Sequence, residues 1–127
     1  MTTNHGGLSK IGQIAITVSD VKKAIAFYRD TLGMKFLFEV PNMAFFDCNG
    51  IRLMLGLPEK EGEQKYSSII YYNVGDIQKT YDMLLSHGVM FEAKPHFVAK
   101  LPDHDLWLAF FRDVDNNLLA LMSEIKH

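Results

Sequence analysis

Two stretches of this chain echo each other, and a fold must accommodate both. In "IGQIAITVSD" (11–20), Ile14, Ile16 and Val18 alternate with Gln13, Ala15 and Thr17; in "IIYYNVGD" (69–76), Ile70, Tyr72 and Val74 alternate with Ile69, Tyr71 and Asn73. A period of two is that of a half-buried strand. Each stretch ends at an aspartate, Asp20 or Asp76, that can cap a following helix. In "VKKAIAFYRDTLG" the apolar stripe is Val21, Ala24, Ile25, Tyr28 and Leu32, stopped by Gly33; in "IQKTYDMLLSHG" it is Ile77, Tyr81, Leu84 and Leu85, stopped by Gly88. Val74 and Asp76 follow Val18 and Asp20 at one common interval, and the copies slip by one residue only at the glycines. The chain is therefore expected to hold two copies of one supersecondary unit.

Three strand-like segments follow each helix: "KFLFEV", "MAFFDCNG" and "IRLMLGL" after the first, "FEAKPHFVAKL", "DLWLAFF" and "NNLLALM" after the second. The expected order is βαβββ, twice, an α+β fold in a single domain spanning 1–127. Module one covers 11–57, the polar "PEKEGEQKYS" (58–67) links the copies, and module two covers 68–123.

Composition narrows the partners. The 127 residues are 48% hydrophobic and 22% charged, as expected of a globular protein and not of a membrane one. Thirteen Lys and Arg against fifteen Asp and Glu give a net charge of -2 with no basic stripe, which argues against nucleic acid. The one cysteine, Cys48, has no partner for an internal disulfide, and "MTTNHGGLSK" lacks the basic start and apolar run of a secretory signal, so a cytoplasmic location is expected. Cys48 precedes "NG" at an expected hairpin turn, with no evident base or cation to activate it.

"VSDVKKAIAFYRDTLGMKF" and "FFRDVDNNLLALM" together resemble the vicinal oxygen chelate superfamily, which includes glyoxalase I, bleomycin-resistance proteins, extradiol dioxygenases and fosfomycin-resistance enzymes. The first has that family's strand, aspartate, helix with a Phe-Tyr pair and Leu-Gly ending. The second is similar to its closing Asp-Pro-Asp-Gly-Asn hairpin, with Val114 in place of the proline and Asn116 in place of the glycine. The resemblance covers Ile11 to Met122 and implies a cupped mixed sheet around a cavity, with the helices outside. It also implies four metal-ligand positions on the cavity face, which fall by register on Gln13, Met54, Ile69 and Ala120. Gln13 offers one neutral oxygen, Met54 a soft thioether, and Ile69 and Ala120 nothing, so no metal or other cofactor is expected there.

Alternation alone puts Gln13, Ala15, Thr17, Arg52, Met54, Ile69, Tyr71, Asn73, Leu118, Ala120 and Met122 on the face away from the helices. An apolar surface with a few polar groups suits a small-molecule pocket; the bland alternative is a second packed core or a dimer face. Arg52 is the key polar residue, since a guanidinium facing an apolar cavity calls for a carboxylate, such as Glu39, or for an anionic ligand. A relocated metal site of Gln13, Glu39 and His96 or His104 is conceivable, although "PDHD" around His104 reads as a polar turn. His5, His87 and His127 read as solvated. The candidate ligand-binding residues are thus Gln13, Glu39, Arg52, Met54, Ile69, Tyr71, Asn73, His96, Ala120 and Met122. The expected function is metal-free binding of a small, partly apolar organic molecule by a homodimer. The alternatives are a lyase, isomerase or dioxygenase with relocated ligands, and an interaction module with a collapsed cavity.

Overall fold

The structure, a computed structural model, describes residues 8–9, 11–58 and 68–127. His5 and nearly all of the expected linker lie outside the described residues. The first module contributes β1 (Gln13–Thr17), a helix α1 (Val21–Ile25) that continues as a π-helical segment (Ala26–Thr31), then β2 (Lys35–Val40), β3 (Met43–Cys48) and β4 (Ile51–Gly56). The second contributes β5 (Ile70–Asn73), α2 (Ile77–Ser86), β6 (Met90–Phe91), β7 (His96–Lys100), β8 (His104–Arg112) and β9 (Leu118–Lys126).

Each module forms its own sheet. The orders are β1-β4-β3-β2 and β5-β9-β8-β6, with β7 also paired to β8. β1 is parallel to β4, and β5 is parallel to β9, because the helix carries the chain across between them; the remaining pairs are antiparallel. The α+β fold with doubled βαβββ order is as the repeat implies.

Three local features differ from expectation. The first helix changes register after Ile25: Leu32 N–H donates to Phe27 O at 2.9 Å, the wider π turn. Gly33, at φ 75, ends that segment as expected. The single strand read in "FEAKPHFVAKL" is broken into β6 and β7 by bends at 92–94 before Pro95, which has no N–H for the ladder. His104 opens β8, whose preceding turn lies at 102–103, and β9 runs on to Lys126, past the expected end of module two.

One core joins both modules. It gathers the helix-facing sides of both sheets (Ile16, Val18, Leu53 and Leu55; Phe111, Leu119 and Leu121) around Ala24, Ile25 and Tyr28 of the first helix and Ile77 and Leu84 of α2. Polar bonds stitch the same seam: Tyr28 Oη donates to Asp113 Oδ2 at 2.8 Å, Asn117 Nδ2 to Thr17 O at 3.1 Å, and Ser19 N–H to Asp115 Oδ1 at 2.8 Å. Asn116 takes φ 66, so asparagine supplies the left-handed turn where the family pattern has glycine. Among the described residues no helix is long and apolar enough to cross a membrane.

Candidate functional site

The pleat that buries Ile14 and Ile16 turns Gln13, Ala15 and Thr17 to the open face of the first sheet. Gln13 lies opposite Arg52, which lies opposite Asp47; Ala15 lies opposite Met54, which lies opposite Phe45. Two rows of side chains therefore cross the face. Gln13 Nε2 sits 3.9 Å from Met54 Sδ, and the Arg52 guanidinium carbon lies 5.8 Å from the centroid of the Phe45 ring. Asp47, the carboxylate nearest in register, accepts the Gly50 N–H of its own turn at 3.2 Å. Glu39 pairs with Lys22 at 2.9 Å. Among the described residues no ion pair engages Arg52, and its side chain is exposed over an aromatic ring.

The second sheet repeats the geometry. Tyr71 lies opposite Ala120 and Asn73 opposite Met122; on the other side of β9, Phe110 flanks Ala120 and Leu108 flanks Met122. The Tyr71 and Phe110 rings meet edge to face at 6.1 Å, flanking the intervening Ala120, which is 0% exposed. His96, opposite Leu108, has its ring 6.4 Å from Phe110. Ile69 precedes β5 and is exposed. Extending the β5–β9 register back by one residue sets Ile69 against Leu118, so Ile69 and Ala120 bear the relation that Gln13 bears to Met54.

The structure thus brings Gln13, Arg52 and Met54 together on one sheet, and Tyr71, Asn73, Ala120, Met122 and His96 together on the other. Among the described residues, the contacts of Gln13 with Met54, Arg52 with Phe45, and Tyr71 and His96 with Phe110 each stay within one sheet. Phe45, Asp47 and Phe110 belong to these faces and were missed in sequence. Counting alternate residues from Arg52 and Ala120 across the hairpins would have found them.

The inherited metal positions do not fit a divalent ion: they provide an amide, a thioether and two aliphatic side chains. Among the described residues no group of three or more His, Cys, Asp or Glu could hold one. Nor are the relocated donors brought into mutual contact. Glu39 is engaged by Lys22, His96 Nδ1 faces Lys94 O at 3.3 Å, and His104 Nδ1 pairs with Asp103 at 2.7 Å.

Tyr71 and Asn73 also border a cavity of about 410 Å³ between β5 and the edge of the first sheet. Cys48 lines it beside the β3–β4 turn, where Asn49 and Gly50 take φ 51 and 97 as "NG" predicts. Burial, then the neighbouring Asp47 charge, pushes the Cys48 thiol upward, so it is no poised nucleophile.

A family model described as "Glyoxalase/Bleomycin resistance protein/Dioxygenase superfamily" matches residues 10–121. The chain is 34% identical to the uncharacterized protein YraH of Bacillus subtilis (strain 168), over 88% of this chain and 96% of that protein. It is 30% identical to the metallothiol transferase FosB of Staphylococcus haemolyticus (strain JCSC1435), over 87% of this chain and 81% of that one. Among solved structures, a glyoxalase/bleomycin resistance protein/dioxygenase superfamily member from Sphaerobacter thermophilus superposes with a TM-score of 0.77 at 28% identity, covering 92% of this chain and 98% of that one. A lactoylglutathione lyase from Agrobacterium tumefaciens, 19% identical with a TM-score of 0.71 over 92% and 95% of the two chains, shares the fold.

Proposed function

Because the chain belongs to the glyoxalase/bleomycin resistance protein/dioxygenase superfamily, and a fold shared by many activities leaves function to the site, we propose a function from the chemistry of its own open faces. The protein binds a small, partly apolar organic molecule carrying an anionic group, and sequesters it without a metal at the inherited positions. The observation that carries this reading is Arg52, a cation held over Phe45 on a largely apolar face, with no ion-pair partner among the described residues. Arg52 receives the anion, Gln13 and Asn73 orient the polar remainder, and Met54, Tyr71 and Met122 provide the apolar wall. Ala120 leaves the floor low. Glu39, Ile69 and His96 form the rim.

In the single chain both faces are open, with Phe38 on the first and Tyr71 on the second 46% and 45% exposed. Apolar surface of that kind favours a cover, and a second copy is the proposed one, giving a homodimer whose ligand lies between faces. The lone thiol suits a cytoplasmic setting. Metallothiol transfer, which the name of the FosB relatives describes, is not proposed, because the inherited donors are missing.

Native mass spectrometry of freshly purified protein tests the reading, since it weighs metal, retained ligand and copies together. The expected species is a dimer without stoichiometric metal, able to retain an organic anion. A stoichiometric divalent metal whose removal lowers the melting temperature would overturn it in favour of a relocated-site enzyme. A dimer that retains no organic anion offered to it would favour an interaction module.

A further inference from the structure

Across the first open face, one row of cross-strand partners runs Gln13, Arg52, Asp47 and Lys35. A carboxylate therefore stands between two cations, each directly opposite it on a neighbouring strand and within side-chain reach. Among the described residues it closes an ion pair with neither. Arg52 leans over Phe45 instead, and Phe38 stacks on the same ring at 4.8 Å. Asp47 Oδ1 turns back to accept the Gly50 N–H at 3.2 Å. Lys35 and Arg52 are both exposed, so the row offers a net single positive charge with a fixed negative one at its centre. In the corresponding row of the second face, Arg112 lies opposite Leu118 and is already paired with Glu92 at 3.0 Å, so it adds no spare cation.

We propose that Asp47 sets the charge of the ligand: Arg52 receives a singly charged carboxylate, and the Asp47 carboxylate repels a doubly charged group such as a phosphate monoester. This rests on Arg52 being the anion site proposed above. A ligand carboxylate is planar and meets the guanidinium edge to edge, which answers its whole charge. A dianion on Arg52 keeps one charge unanswered, with Asp47 on the adjacent strand, and like charges brought together at a binding site cost affinity. Selection against a competitor is built from such repulsion as much as from attraction.

The test titrates the intact protein with 2-naphthoate and 2-naphthyl phosphate by calorimetry at low salt. The two share an aromatic body suited to Phe38, Phe45 and Met54 and differ in charge at pH 8, above the second phosphate ionisation at about 6. Naphthoate should bind about tenfold more tightly. Asp47→Asn removes the charge and keeps the acceptor for Gly50 N–H, so it should fold unchanged by circular dichroism and raise phosphate affinity relative to naphthoate about fivefold or more. Arg52→Met should weaken both anions. A phosphate that binds the parent as tightly as naphthoate, or a ratio that Asp47→Asn leaves unchanged, overturns the role of Asp47 and spares that of Arg52. If neither anion binds, or Arg52→Met weakens neither, the anion site itself falls and the role of Asp47 with it. Should Asp47→Asn fail to fold, Asp47→Ser, which accepts the same N–H without charge, takes its place.

Discussion

Asp113, 6% exposed, accepts from Tyr28 Oη, from the N–H groups of Asp115 and Asn117, and from Asn117 Nδ2, all between 2.8 and 2.9 Å. A buried carboxylate so fully engaged is stabilising, and truncating it strands several donors at once. Asp113→Ala should lower unfolding free energy by about 3 kcal/mol or more in urea titration; an effect below about 1 kcal/mol would mean that water replaces the carboxylate easily. The same contact bears on alkaline stability. Burial, then Asp113, raises the Tyr28 phenol far above its ordinary value of 10.0, and burial raises that of Tyr72. Below pH 10 both phenols are neutral folded or unfolded, so their contribution is fully present. Above it only the unfolded chain ionises, and stability should fall by about 1.4 kcal/mol per pH unit for each phenol. Tyr28→Phe should flatten that fall, as thermal melts between pH 9 and 11 would reveal. Arg52→Met differs in kind: stability should change little, while affinity for an anionic ligand drops by about 2 kcal/mol, roughly thirtyfold. Strong destabilisation with unchanged affinity would make Arg52 structural.

At the scale of elements, the two caps are near copies: Asp20 Oδ1 accepts from Lys23 N–H at 3.1 Å and Asp76 Oδ1 from Lys79 N–H at 3.0 Å. Asp20→Ala and Asp76→Ala should each cost about 1 kcal/mol, and the double variant the sum, because the caps share no partner. Caps, glycine stops and strand alternation were legible because each is a local rule acting within a few residues. The π segment, the break before Pro95 and the covering of Ala120 were not, because each depends on what another element places nearby. Periodicity put Ala120 on the open face correctly and could not show Tyr71 and Phe110 flanking it. Ala120→Glu, restoring the family carboxylate, should therefore cost about 2 to 4 kcal/mol, as a side chain enlarged where it has no room and a charge denied water. A melting temperature unchanged from the parent would mean that the aromatic pair parts freely. Periodicity also put Gln13, Arg52, Met54, Tyr71, Asn73 and Met122 on the two half-faces but not Phe45, Asp47 or Phe110, which join them by cross-strand register, and the separation of Gln13 and Met54 from Ile69 and Ala120 is a matter of tertiary arrangement.

For the whole molecule, the stitches from Tyr28, Thr17 and Ser19 to the 113–117 turn join residues far apart in the chain, on top of a shared core. Calorimetry should accordingly show one unfolding transition, with equal calorimetric and van't Hoff enthalpies, despite the internal duplication. Continuity of the backbone is then a convenience of assembly. A chain cut between Pro58 and Ser68 should yield halves that are each unstructured alone, since each exposes one side of the common core, yet recombine on mixing into a native-like heterodimer whose stability depends on concentration. The duplicated architecture would behave as two genes could have built it, with mutual recognition already written into the turn that closes the second half.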